Sequence, residues 1–181
     1  MTIVQGSPIG MEYPMMVSYA SNEDSLASQV EQDHEIAHSY FPFYMGTNES
    51  RYPFMDEGWA TLLEFLIRQT TSTSDSTESM FKRWYVARWT QSLAPDYTVP
   101  ILTPANVLKW LTPNDYGKPA VAYLALKDLL GDEMFKTCLW EYIERWHGKH
   151  PSPWDFFNTF NGASGRNLDW FWTNWFASNN Y

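Results

Sequence analysis

The stretch Asp33-His34-Glu35-Ile36-Ala37-His38-Ser39 constrains this chain more than any other. It reads H-E-x-x-H. On an α-helix, residues four apart lie on one face, one turn from each other. His34 and His38 can then turn both imidazoles toward a single ion. Zinc favours such nitrogen donors, and a catalytic zinc takes three protein ligands and leaves one position open to water. Glu35 stands beside the first histidine, within reach of that water as a general base. Five residues supply two ligands and a base, so a third ligand has to come from elsewhere in the chain.

The surrounding pattern is helical. Ser21-Asn22-Glu23-Asp24 reads as a capped helix start, and the helix carrying the histidines is expected from about residue 23 to 40. Residues 41–55 contain two prolines and one glycine and read as an irregular connection. A second helix opens at Asp56-Glu57-Gly58-Trp59-Ala60 and runs to about Thr70, with Trp59, Leu62, Leu63, Leu66 and Ile67 as its apolar stripe. Glu57 and Glu64 are seven residues apart and share a face of it. Glu64 lies between Leu63 and Phe65, and a carboxylate buried there needs a partner. Further helices are expected at about 78–93, 104–110, 115–130, 132–146, 152–161 and 167–177. Gly131 reads as a stop and Asp132 as the next cap. Ahead of them all, Ile3-Val4 and Met15 to Tyr19 read as short strands around a turn at residues 7–10. Taken by itself, Glu12 reads as a solvent-facing residue on a strand edge. The expected fold is mainly α (α+β): helices with a small N-terminal β element, in one domain over residues 1–181.

Bulk properties narrow the function. An apolar share of 44% over 181 residues is enough for one sizeable core. Net charge is −9, without a basic stripe, which argues against nucleic acid and against anionic membranes as partners. No run of about 18 apolar residues occurs, so no membrane span is expected. A single cysteine, Cys138, allows no disulfide within the chain. Ten tryptophans imply large helix-packing faces and an exposed docking face. His147 and His150, near a helix end, read as stabilising that end. Asp33 and Asp56 read as orienting the histidine and glutamate that follow them, as helix caps, or as solvated residues. Nothing in the sequence assigns a compartment.

Eighteen residues separate His38 from Glu57. With that spacing, His34-Glu35-Ile36-Ala37-His38 and Asp56-Glu57-Gly58-Trp59-Ala60 resemble the gluzincin metallopeptidases, and specifically the M1 aminopeptidase family, whose pattern is H-E-x-x-H, eighteen residues, then E in N-E-G-F-A. Ile9-Gly10-Met11-Glu12-Tyr13 is similar to the family's G-x-M-E-N strand. Tyr116, two residues before Lys118, resembles the family's oxyanion tyrosine, and Glu64 matches a glutamate near the metal. Departures are Tyr40 and Pro42 after the second histidine, Ile9 for a glycine and Tyr13 for an asparagine.

The resemblance implies a thermolysin-like catalytic domain with Zn²⁺ held by His34, His38 and Glu57. Glu35 would be the general base and Tyr116 the oxyanion donor. Glu64 would bond a ligand from behind. Glu12, with Gly10 and Met11 on the same strand, would hold the free N-terminus of a peptide substrate. The reaction implied is removal of one N-terminal residue. Two alternatives stand beside it: a gluzincin endopeptidase, which has no need of Glu12, and a metal-binding fragment without turnover. The motifs cover part of an M1 enzyme, so other domains of a parent chain are expected partners.

Overall fold

In the computed structural model, residues 1–7, 9–20, 25–71, 74–91, 99–107 and 114–179 are described. Three strands come first: β1 (Thr2–Ser7), β2 (Met11–Tyr13) and β3 (Met16–Ala20), in the sheet order β1-β3-β2. β2 and β3 form an antiparallel hairpin in which Tyr13 faces Met16. Pro14 presets the first turn position near φ −65°, and Met15 takes φ 64° at the second. β1 runs parallel to β3, Ile3 opposite Val17. The expected pair of strands around residues 7–10 is therefore not a hairpin. A third strand lies between them in sequence, and β1 pairs with β3 from its free edge. Local alternation reports strand character but not the partner.

Helix α1 (Ser25–Ala37) follows and packs on β3 and on α2 (Glu57–Thr71). The cap expected at residues 21–24 lies outside the described residues. His38 keeps helical angles, φ −59° and ψ −16°, beyond the last residue of α1. Both histidines thus stay on one face. The chain then passes through a π-type turn (Ser39–Tyr44) that is not helical at Phe41, where φ is −125° and ψ is 107°, and a 3-10 turn at Pro53–Met55.

On α2, Trp59, Ala60, Leu62 and Phe65 are buried apolar residues, and Glu64 and Arg68 are buried beside them. The polar stripe meets α1 in reverse order. Glu57 faces His34 and His38, Glu64 faces His34, and Arg68 faces Asp33. The two helices are antiparallel, and their shared face carries the polar groups of the site.

The helix expected at 78–93 is three pieces: α3 (Ser74–Phe81), a π-helical segment (Lys82–Val86) and α4 (Ala87–Gln91). The helix expected at 104–110 is a 3-10 turn at Ala105–Val107; residues 108–113 lie outside the described residues. Then come α5 (Gly117–Leu130), α6 (Asp132–Trp146), α7 (Pro153–Ser164) and α8 (Asp169–Trp172), extended by a π-type turn to Ala177. Gly131, at φ 80°, ends α5 and is itself the cap of α6. Asp132 is the first helical residue rather than the cap, and its carboxylate takes Lys127 Nζ at 2.6 Å.

Much of the aromatic load is core. Phe156 is ringed by Trp59, Tyr123, Tyr142, Phe160 and Trp172, with centroids 4.8–5.8 Å away. Trp140, Trp154 and Trp170 are more than half exposed. Among the described residues no helix is long and apolar enough to cross a membrane.

Candidate active site

Two glycines let the start of α5 lie against the start of α2 and against the π-helical segment Lys82–Val86 that carries Tyr85. A Cβ on Gly58 would lie 2.8 Å from Pro119 Cβ, and one on Gly117 would lie 2.9 Å from the Tyr85 carbonyl oxygen. Only bare backbone allows such an approach. It sets Tyr116, which precedes α5, beside Glu57, which opens α2: the Tyr116 hydroxyl donates to Glu57 Oε1 at 2.8 Å.

The other carboxylate oxygen of Glu57 faces α1. Glu57 Oε2 lies 3.0 Å from His34 Nε2 and 3.5 Å from His38 Nε2. Two imidazole nitrogens and a carboxylate thus converge, with donor atoms within 4.8 Å of one another. This His₂Glu set could hold a metal ion; it is one of the donor sets of catalytic zinc sites.

The far side of each imidazole faces a carboxylate. His38 Nδ1 lies 2.6 Å from Asp56 Oδ1 and 2.9 Å from the Phe41 carbonyl oxygen. His34 Nδ1 lies 3.3 Å from Glu64 Oε2, and that oxygen accepts a 2.8 Å bond from the Tyr85 hydroxyl. The bonds at His38 Nδ1 fix that ring and turn its other nitrogen toward the ion, whereas His34 Nδ1 makes an ion-pair contact with Glu64 without hydrogen-bond geometry.

Burial and mutual contact set the charges. Burial works against protonated histidine, yet the bonds to Asp56 and Glu57 push His38 up to about 11. His34 rises likewise to about 9 through Glu57 and Glu64. Burial works against ionised Glu57 too, but the two histidines hold it down at about 2. Asp56 goes up to about 7 because burial outweighs its bond to His38. Protons on the imidazoles therefore supply the positive charge that the carboxylates require, and a metal binding there displaces them.

Glu35 points into a cavity of about 850 Å³ lined by Gly10, Glu12, His34, Glu57, Trp84, Arg88 and Tyr116, among others. It is 6% exposed, and burial pushes it up to about 7. Among the described residues its Oε2 has no hydrogen-bond partner. An unpartnered carboxylate oxygen near neutral pKa is suited to exchanging a proton with water. Gly10 lies against it: a Cβ there would sit 2.3 Å from Glu35 Oε1 and would require that carboxylate to move. Glu12, on β2, has a carboxylate oxygen within 4.8 Å of both Glu35 and His38 donor atoms. Its place is inside the cleft rather than on a solvent-facing edge. Met11 also lines the cavity.

Asp33 pairs with Arg68 at 3.1 Å. His147 bonds the Ile143 carbonyl at the end of α6, and His150 bonds Gly46 O. Sequence reading missed Tyr85 and Arg68 as polar partners. Arg68 had a signal, being eleven residues after Glu57 on the same stripe. Tyr85 had none beyond being an aromatic on a helix.

The sequence matches the Peptidase family M1 domain over residues 9–175. The chain belongs to peptidase family M1. The M1 fold is seen again in solved structures. The M1 zinc metallopeptidase from Deinococcus radiodurans superposes with a TM-score of 0.78 at 17% identity, over 99% of this chain and 39% of that one. A mutant of it bound to a Tyr-Ser-Ala substrate gives 0.80 at 17% identity, over 99% and 39%. A two-domain M1 zinc metallopeptidase mutant bound to L-tryptophan gives 0.79 at 17% identity, over 99% and 39%. This M1 chain spans about two fifths of the length of those proteins.

Proposed function

We propose that this chain is the catalytic unit of a zinc-dependent M1 aminopeptidase, with His34, His38 and Glu57 as the zinc ligands. One observation carries the reading: the glutamate eighteen residues beyond the second histidine has its carboxylate 3.0 and 3.5 Å from the two Nε2 atoms. A zinc ion in that set would polarise the scissile carbonyl and acidify the attacking water.

The remaining roles fall to side chains around the cleft. Glu35, with its unpartnered oxygen, takes a proton from the attacking water and delivers it to the leaving amine. Tyr116, whose buried phenol is held above its ordinary pKa by burial and by Glu57, stays a donor and faces the developing oxyanion. Glu12 accepts the substrate's ammonium in a charge-assisted bond. Glu64 steadies His34 from behind. The mutants of M1 relatives bound to a tripeptide and to a free amino acid support a peptide substrate.

The test of the exopeptidase part is Glu12→Ala, assayed on a peptide with a free N-terminus and on its N-acetylated form. The expected result is cleavage of the free peptide by the wild type, and a loss in the variant of about 30–150-fold in kcat/KM, as a charge-assisted bond of about 2–3 kcal/mol implies. Equal cleavage of the acetylated peptide by both proteins would mean an endopeptidase.

A further inference from the structure

We propose that Tyr85 is a positioning residue of the metal centre, acting through Glu64 on His34. The inference rests on the reading of His34 as a ligand and extends it by one layer.

Glu64 is fully buried on α2, so water does not compensate its charge. Its Oε2 receives the Tyr85 hydroxyl at 2.8 Å and lies 3.3 Å from His34 Nδ1. Among the described residues Oε1 has no hydrogen-bond partner. The orientation of the carboxylate is therefore set at one oxygen, by a neutral donor on one side and an imidazole on the other. His34 Nδ1 meets Oε2 as an ion-pair contact without hydrogen-bond geometry; a neutral imidazole with its proton on Nδ1, toward Oε2, presents its lone pair on Nε2, the nitrogen that faces Glu57.

Tyr85 is placed for this by its backbone. It stands in the π-helical segment Lys82–Val86, between the regular turns of α3 and α4. Such widenings shift the side chains that follow them and recur at functional sites. Phe81 packs on its ring at 5.4 Å, and Gly117 lets the start of α5 close over its carbonyl. The phenol is kept protonated by burial and by the negative charge of Glu64. A tyrosine serving packing alone would need none of the hydroxyl's contacts.

The test is a double-mutant cycle on zinc affinity. The zinc Kd is measured by competition with a chromophoric chelator for the wild type, Tyr85→Phe, Glu64→Gln and the double variant. Thermal unfolding of each zinc-free protein checks the fold. Tyr85→Phe, which keeps the ring, is expected to weaken zinc about tenfold, and Glu64→Gln by about 10–100-fold. The double variant is expected to bind no more weakly than Glu64→Gln, because Tyr85 has nothing left to act through. A folded Tyr85→Phe with a Kd within about twofold of wild type overturns the proposal, as does a double variant showing the full product of both losses. In the wild type itself, ¹⁵N NMR of the zinc-loaded protein is expected to find His34 protonated at Nδ1; a bare Nδ1 also overturns it. A wild type that holds no zinc refutes the metal-centre reading beneath, a result distinct from an unchanged Kd in the variant.

Discussion

Gly10→Ala is a small substitution with a large expected effect. The added methyl would sit 2.3 Å from Glu35 Oε1, 3.0 Å from Glu35 Cδ and 2.9 Å from Glu31 Oε1. Ordinary contact begins at 3.4 Å, so the Glu35 carboxylate has to retreat by about 1 Å. Gly10 does not have a positive φ, so an alanine backbone fits there, and the strain falls on the carboxylate. A misplacement of about 1 Å at a proton-transferring group costs on the order of 100-fold in rate, or about 2.7 kcal/mol of transition-state stabilisation. The assay is hydrolysis of an aminoacyl p-nitroanilide, with zinc content and thermal unfolding measured on the same samples. The expected outcome is kcat/KM down about 100-fold, zinc content unchanged, and stability altered by less than about 1 kcal/mol, since the displaced atoms end a flexible side chain. Gly162→Ala, where a Cβ would meet nothing within 4 Å, is the control and should keep wild-type activity. A Gly10→Ala protein with kcat/KM within about threefold of wild type would refute the placement of Glu35 as the base.

Two further expectations concern stability. Arg68 is buried and bonds Asp33 at 3.1 Å, and the Asp33 side chain is 27% exposed; Arg68→Met should cost about 2 kcal/mol in urea unfolding, below the value for a fully buried pair because Asp33 can still hydrate. An unchanged unfolding midpoint would show that the pair does not hold α1 to α2. Lys118 is 3% exposed, and burial lowers it from 10.5 to about 8. The folded state thus binds fewer protons than the unfolded state between about pH 8 and 10.5, so this lysine's unfavourable contribution is full below pH 8 and fades as pH rises through that window. Wild type should gain stability relative to Lys118→Met between pH 8 and 10; parallel pH profiles of Tm would contradict a buried, desolvated Lys118.

How much of this was legible in the sequence depends on whether the contact is local. His34 and His38 are one turn apart on one helix, so spacing alone puts them together. Glu57 entered through its eighteen-residue spacing from His38, which matters because it resembles the M1 pattern; the irregular connection itself does not show where the second helix packs. Glu64 carried its own signal, a carboxylate between Leu63 and Phe65 that has to find a partner. Glu12 and Tyr116 entered by resemblance; read alone, Glu12 looked like a surface residue, because a strand edge gives no hint of what closes over it. Tyr85 was not legible, since its role depends on a π-helical widening that has no sequence pattern of its own. Nor was the parallel pairing of β1 with β3, which alternation cannot specify. Asp56 reads as orienting Glu57, as a cap or as solvated; it is buried and lies 2.6 Å from His38 Nδ1, a partner on another helix that local sequence does not name.

The most direct test of the central claim is metal analysis together with hydrolysis of an aminoacyl substrate, for the wild type and for Glu35→Gln. The expected result is one zinc per chain in both proteins, turnover in the wild type, and a loss of about 100-fold or more in the variant, the range for removing a general base. A chain that holds no zinc, or a Glu35→Gln variant as active as wild type, would contradict it.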